Sequence, residues 1–271
     1  MLATIIHDQF KTDERKPLAE AIDDLCTPDG TGEWASGGVY SFWAPDTHEL
    51  LYIGLAVDLA QRFRQHTGLV GAPASGCKLE KIDAYFQTKQ LLGYSALVQS
   101  PMNQEMCWRA LEKYGDDPPD EVAEACNAAP GPGAHAINFT EGLLIEAYRK
   151  KYNQLPPWND RAGNKLGAER ANRQHTYIID ILTESAADVM EARRPIRQLA
   201  ENYTWMHFEN FLHGVRQFAA ATGASFSSIW AQFPDELGMR DRIRGDGYLT
   251  EAEVDLFEAA ERKWRQDNPE Q

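Results

Sequence analysis

The chain is short of cysteine, of bases and of long apolar runs, and each shortage removes a class of protein. Its 271 residues include four cysteines, Cys26, Cys77, Cys107 and Cys126. No two of them make a C-x-x-C pair, so a structural zinc site is not expected. The pattern gives no ground for a disulfide framework either. Apolar stretches run to a handful of residues, far below the roughly 20 that a membrane-spanning helix needs. The opening MLATIIHDQFKTDERK places acids where a secretory signal needs bases. Together these absences predict a cytoplasmic protein with reduced thiols and no membrane partner. No internal repeat is visible, and low complexity is confined to the Pro/Gly loop at 129–133. With 43% apolar and 25% charged residues, the chain has the mix of a folded globular protein rather than a disordered one.

The shortage of bases is uneven. Twenty-seven Lys and Arg against 41 Asp and Glu leave a formal charge of −14. Taken alone, that sum disfavours a polyanionic partner. Residues 149–197 reverse it locally, with ten bases and six acids. Arg149, Lys150, Lys151, Arg161, Lys165, Arg170 and Arg173 lie in this stretch. By itself such a run reads as a solvated helix face.

Residues 1–34 read as a helical lead-in, with Pro17 in a first turn. Gly37-Gly38 breaks the pattern. The β-branched and aromatic run 39–43, a turn at 44–48 and the apolar run 49–53 then read as an antiparallel hairpin. Asp58 caps a helix over 59–66, which Gly68, Gly71, Pro73 and Gly76 terminate. Residues 78–90 show no clear period, and 94–100 read as a third strand. A helix over 141–152 is stopped by Pro156-Pro157. Residues 176–222 are helical in period, and 251–265 form an amphipathic helix. The fold class predicted is α/β of the α+β kind: a small, mainly antiparallel sheet flanked by helices, followed by a helical C-terminal region.

Three features carry chemistry. Arg62 and His66 are four apart on one helix, beside the inward-facing Leu59 and Phe63. Glu141 shares an apolar stripe with Ile145 and Tyr148, where a carboxylate is costly unless paired or bound to metal. Its place in a first helical turn, favoured by the helix dipole, is the competing explanation. Tyr40 and Tyr52 project to one face of the hairpin. Each feature alone fits an ordinary core or surface role.

As an ordered set they resemble the GIY-YIG nuclease family. Gly38-Val39-Tyr40 resembles the first motif and Tyr52-Ile53-Gly54 the second. The run 58–66 resembles the family's helix, with Arg62 and, four on, His66. Glu141 and Asn153, twelve later, resemble its metal-binding glutamate and its asparagine, with Asn159 after Trp158 in reserve. The resemblance covers about 36–160. It divides the chain into the lead-in at 1–34, a nuclease domain at 35–173 and the helical region at 174–271. The 79 positions from Arg62 to Glu141 exceed the family's compact core, so an insertion is expected at about 68–136. Leu55 stands where many members carry lysine or a small polar residue.

The resemblance implies metal-dependent hydrolysis of DNA phosphodiesters, with a stand-alone restriction or defence nuclease as the leading expectation. A structure-specific or single-strand nuclease of repair or mobile-element type, and a non-catalytic nucleic-acid-binding module, are the alternatives. Glu141 would hold one Mg2+ or Mn2+ ion. Arg62 would donate to the phosphate. Tyr40 is the expected base, its pKa drawn down by Arg62 and the metal, while Tyr52, His66 and Asn153 complete the site. DNA contacts are expected from Arg149, Lys150, Lys151, Asn159, Arg161, Lys165, Arg170 and Arg173. Cutting both strands with one site per chain needs two chains or two binding events, and a homodimer is the expectation. Two further patterns are weaker. Residues 218–229 have a helix-turn-helix rhythm, but the would-be reading helix at 225–232 has no Lys or Arg. The stretch 246–253 looks like the end of a calcium loop, whose first positions would be the non-ligating Arg242 and Arg244.

Overall fold

The computed structural model describes residues 2–26, 34–71, 77–99 and 132–267. Its centre is a four-stranded antiparallel sheet in the order β1 (Leu2–Phe10), β4 (Leu92–Gln99), β2 (Gly38–Ala44), β3 (Glu49–Ala56). The hairpin read from the sequence is present as β2 and β3, with Tyr40 opposite Gly54 and Phe42 opposite Tyr52.

One expectation is corrected. Residues 2–10 do not form a helix; they form the edge strand β1, buried along nearly its whole length against β4. The β-branched run Thr4-Ile5-Ile6 suits a pleated, packed surface, and pairing with a distant strand supplied the missing context. The helix of this region is α1 (Arg15–Cys26), which begins just before Pro17. The third strand read at 94–100 is present as β4, and the stretch from 68 holds regular structure. It contains α3 (Leu79–Phe86) and β4, the inner strand that pairs with both β1 and β2. The Pro/Gly loop at 129–133 and the rest of 100–131 fall outside the described residues.

Helices cover both faces of the sheet. On one face Tyr40, Phe42, Tyr52 and Tyr94 pack with Leu18, Ile22 and Leu25 of α1 and with Leu59 and Phe63 of α2 (Leu59–Thr67). The Asp58 side chain accepts from the Gln61 amide at 2.7 Å, and Gly68 ends α2 at φ 76°, so both ends are as the sequence predicted. On the other face Val39, Ile53 and Leu97 meet Ile137, Leu144, Ile145 and Tyr148 of α4 (Pro132–Tyr152), together with Ile179 and Ile181 of α6 (Thr176–Ile181). Helix α4 starts nine residues earlier than the apolar stripe suggested, with proline at its first position. The short α5 (Lys165–Arg170) lies against it.

The C-terminal region is helical, as expected. After α7 (Ile196–Glu201) come α8 (Tyr203–Thr222), α9 (Phe226–Gln232), α10 (Met239–Asp246) and α11 (Glu251–Asp267). The last four share a core built on Phe208, Leu212, Trp230, Ile243 and Phe257. In α9, Phe226 and Trp230 are spent on that core, and the Ser227 amide donates to Glu258 at 2.8 Å. No helix of the described residues is long and apolar enough to cross a membrane.

Helix α8 is tied to β1 by a buried polar network. Arg216 Nη1 donates to Glu209 Oε2 at 2.7 Å and to Thr4 Oγ1 at 3.1 Å, while Thr4 Oγ1 also meets His213 Nδ1 at 2.8 Å. Glu209 additionally accepts from the Arg193 amide and the Tyr248 hydroxyl. Side chains of Arg216 and Glu209 are 2% and 0% exposed, so removing one strands the other charge. Glu209→Ala should cost about 3–5 kcal/mol of stability in chemical denaturation; a loss below about 1 kcal/mol would show that the pair does not anchor α8.

Candidate active site

The hairpin and α2 bring Tyr40, Tyr52, Arg62 and His66 together on one sheet face. Ring centroids of Tyr40 and Tyr52 are 5.8 Å apart, and those of Tyr40 and His66 5.6 Å. Tyr94, from the neighbouring strand, stacks on Tyr40 at 6.0 Å. Gly54 makes the arrangement sterically feasible. A Cβ at that position would lie 2.7 Å from both Tyr40 Oη and Tyr52 Cε1, so the third residue of Tyr-Ile-Gly is a space requirement.

The hydrogen bonds assign protons. The Lys78 backbone N–H donates to His66 Nδ1 at 2.9 Å. That nitrogen is therefore unprotonated, and the neutral ring carries its proton on Nε2. Burial, then the charges of Arg62 and Lys78, push the His66 pKa down to about 3, which keeps the ring neutral at physiological pH. His66 Nε2–H consequently donates to Tyr40 Oη, 2.6 Å away. Arg62 Nε–H donates to the same oxygen at a long 3.4 Å and Nη1 to Gln65 Oε1 at 2.9 Å. Tyr40 thus accepts two donors, and its own proton points elsewhere.

Arg62 alone does not bring the Tyr40 phenol below its ordinary pKa. Arg62 does draw the Tyr40 pKa down, but burial, reinforced by Tyr52, outweighs it and holds the phenol well above its usual value. Tyr40 is 1% exposed, so the desolvation of its anion dominates.

Glu141 stands on α4, the helix that covers the opposite face, and no hydrogen bond or ion pair joins it to the tyrosine cluster among the described residues. Its neighbour Gly142 is pressed by the chain at Asn164, whose carbonyl oxygen would sit 2.2 Å from a Cβ there. Burial raises the Glu141 pKa to about 7, and no donor among the described residues compensates it. A half-buried carboxylate with no partner among the described residues fits a divalent cation, which would relieve that cost. Glu141 would be a protein ligand of such a cation; no group of three His, Cys, Asp or Glu occurs among the described residues.

The two faces are joined by the chain after α4. Asn153 ends the helix, exposed and in the left-handed region at φ 56°, away from the cluster's hydrogen bonds. Asn159, the reserve, makes the structural contact instead. Its Oδ1 accepts from the Ile53 amide at 2.9 Å and its Nδ2 donates to the Ile53 carbonyl at 2.8 Å, while the Trp158 amide donates to the Leu51 carbonyl at 2.8 Å. Asn159 is therefore occupied with the free edge of β3 rather than presented for a nucleic acid.

Of the basic candidates, Arg149 pairs with Glu146 at 2.7 Å, Lys151 pairs with Asp180, and Lys150 donates to the Ala171 carbonyl. Arg161, Arg170 and Arg173 are exposed and make no ion pair among the described residues; Lys165 reaches Glu169 only at 3.9 Å. Sequence reasoning missed Lys78. It lies in the stretch without clear period, and only the fold shows its backbone beneath His66 and its ammonium 5.0 Å from the Tyr52 ring centroid.

Comparison of the chain with protein-family models, with curated proteins and with solved structures finds no match. The site is therefore read from its own geometry.

A carboxyl whose pKa is raised by folding favours the fold when protonated and disfavours it once ionised. The Glu141 contribution is thus lost as pH rises from the ordinary 4.5 through about 7. In metal-free buffer, Glu141→Gln should raise the melting temperature by a few degrees at pH 8 and leave it nearly unchanged at pH 4. Equal shifts at both pH values would contradict a desolvated carboxylate.

Proposed function

We propose that the protein is a metal-dependent DNA endonuclease of GIY-YIG type, acting as a stand-alone restriction or defence nuclease. The observation that carries the reading is the Tyr40 oxygen receiving both the His66 Nε2–H and the Arg62 Nε–H beside Tyr52, over a glycine that leaves room for it. A phenol held this way suits phosphodiester hydrolysis. As its proton leaves, the two donors offset the charge that develops on oxygen. His66 cannot take that proton, because its second nitrogen is already used by the Lys78 amide. His66 orients; Tyr40 exchanges protons with the entering water or phosphate oxygen. Arg62, half-buried, offers its guanidinium to the phosphate. A cation on Glu141 would polarise the phosphate and stabilise the leaving oxygen.

Supercoiled DNA incubated with the protein and Mg2+ should be nicked or cut, and Glu141→Gln should abolish this while DNA binding persists. Tyr40→Phe should lower single-turnover cleavage by about 10²–10⁴-fold, the contribution of a positioned base. Because Tyr40 is held well above its ordinary value, the logarithm of that rate should climb by about one per pH unit from 7 to 9 without a plateau. A plateau beginning near pH 7 would move the base to Glu141, and absence of any cleavage with intact binding would favour a non-catalytic module.

For binding, we assign phosphate contacts to Arg161, Lys165, Arg170 and Arg173, the basic candidates not consumed by close internal partners. Neutralising all four should flatten the dependence of log affinity on log salt by roughly three to four units. Neutralising Arg240 and Arg244, which pair with Asp235 and Glu251, should change it little. An unchanged slope in the first variant would place the DNA on another surface.

A further inference from the structure

Lys78 occupies an unusual position for a lysine. Its side chain is 6% exposed, yet the anion that neutralises it, Asp160, is 73% exposed. Nζ donates to Asp160 Oδ2 at 3.0 Å and stands 5.0 Å from the centroid of the Tyr52 ring. A buried ammonium needs a partner to offset its desolvation. The one provided here sits at the surface, next to Asn159, on the segment that rounds the free edge of β3. The ammonium has three donors, and Asp160 uses one. On its inner side it borders Tyr52, which packs against Tyr40, while its own backbone N–H holds the His66 ring. A cation is therefore already desolvated at the tyrosine cluster, and the carboxylate that meets it is solvent-exposed.

We propose that Lys78 is a phosphate-binding residue of this site, held in reserve by Asp160, and that a nucleic-acid phosphodiester displaces the Asp160 carboxylate to reach it. The inference rests on the nuclease reading and extends it to a residue outside the resemblance. The exchange is ionic: one oxyanion replaces another on the same ammonium, and no covalent bond changes. Because Asp160 competes with the incoming phosphate, it acts as a brake on binding, and Lys78 is the group through which that brake operates.

The test is a double-mutant cycle on DNA affinity. Wild type, Lys78→Met, Asp160→Asn and the double variant are titrated against a mixed-sequence duplex in EDTA, where no cleavage occurs, and their melting temperatures are recorded. Asp160→Asn should tighten binding roughly tenfold, about the worth of one charge-assisted contact. Lys78→Met should weaken it by a similar factor. In the Lys78→Met background, Asp160→Asn should change little, because the group it releases is gone. Lys78→Gln serves as a second variant if the methionine protein does not fold. The same gain from Asp160→Asn in both backgrounds would mean that only net charge has changed, and would overturn the proposal. So would lowered melting temperatures with affinities unchanged, the signature of a structural clasp. No binding by any of the four proteins would instead overturn the nuclease reading, and this inference with it.

Discussion

The side chain of Asn159 paired with both backbone groups of Ile53 is the contact on which the site depends. Strand β3 is an edge, and an edge strand leaves a row of unsatisfied amides and carbonyls. Asn159 satisfies one residue of that row on both counts, and the Trp158 amide satisfies the Leu51 carbonyl. This fixes the path of the chain leaving α4. Leu155 packs with the core on the α4 face, while Trp158 packs on the tyrosine face, 6.3 Å from Phe42. The chain then returns to lay Asn164 on Gly142. The segment after α4 thereby ties the helix that carries Glu141 to the hairpin that carries Tyr40 and Tyr52.

Within the cluster, burial and hydrogen bonding pull in opposite directions. Desolvation holds Tyr40 as a phenol and His66 as a neutral imidazole, so neither is charged at rest. The donors aimed at Tyr40 Oη favour its anion. The balance lets an incoming charged group decide the protonation state, since a cation or phosphate brought to a dry site acts through a low local dielectric. The backbone amide of Lys78 sets the direction of the proton network, because it leaves His66 one tautomer.

The acidic C-terminal region is joined to the sheet through β1 rather than through the hairpin. Arg216, Glu209, Thr4 and His213 form one buried network, and Arg197 adds a second tie by donating to Asp8 at 2.8 Å. Several of its bases are held in such pairs, as with Arg193 and Glu253. The sum of −14 hides an uneven distribution, since residues 149–197 carry ten bases against six acids. The exposed cations at 161, 165, 170 and 173 lie on and beside α5, against the helix that carries Glu141.

Short-range physics made much of this legible in the amino-acid order. β-Branched, aromatic and apolar runs with turn chemistry between them marked β2 and β3, the Asp58 cap and Gly68 bounded α2, and four-residue spacing put Arg62 and His66 on one side of it. A carboxylate on an apolar stripe singled out Glu141 as costly before any contact was known. Long-range contacts decided the rest. Residues 2–10 became a strand because β4 was there to pair with, a partner some 90 positions away. Asn159 rather than Asn153 reached the hairpin because the helix end turned Asn153 outward, which counting along the sequence could not show. Lys78 had no local signal at all: its importance comes from His66, Tyr52 and Asp160, three residues from three separate segments. The same holds for proton positions, since spacing reveals which groups can meet, and only a folded neighbour's amide decides which nitrogen of His66 holds the hydrogen.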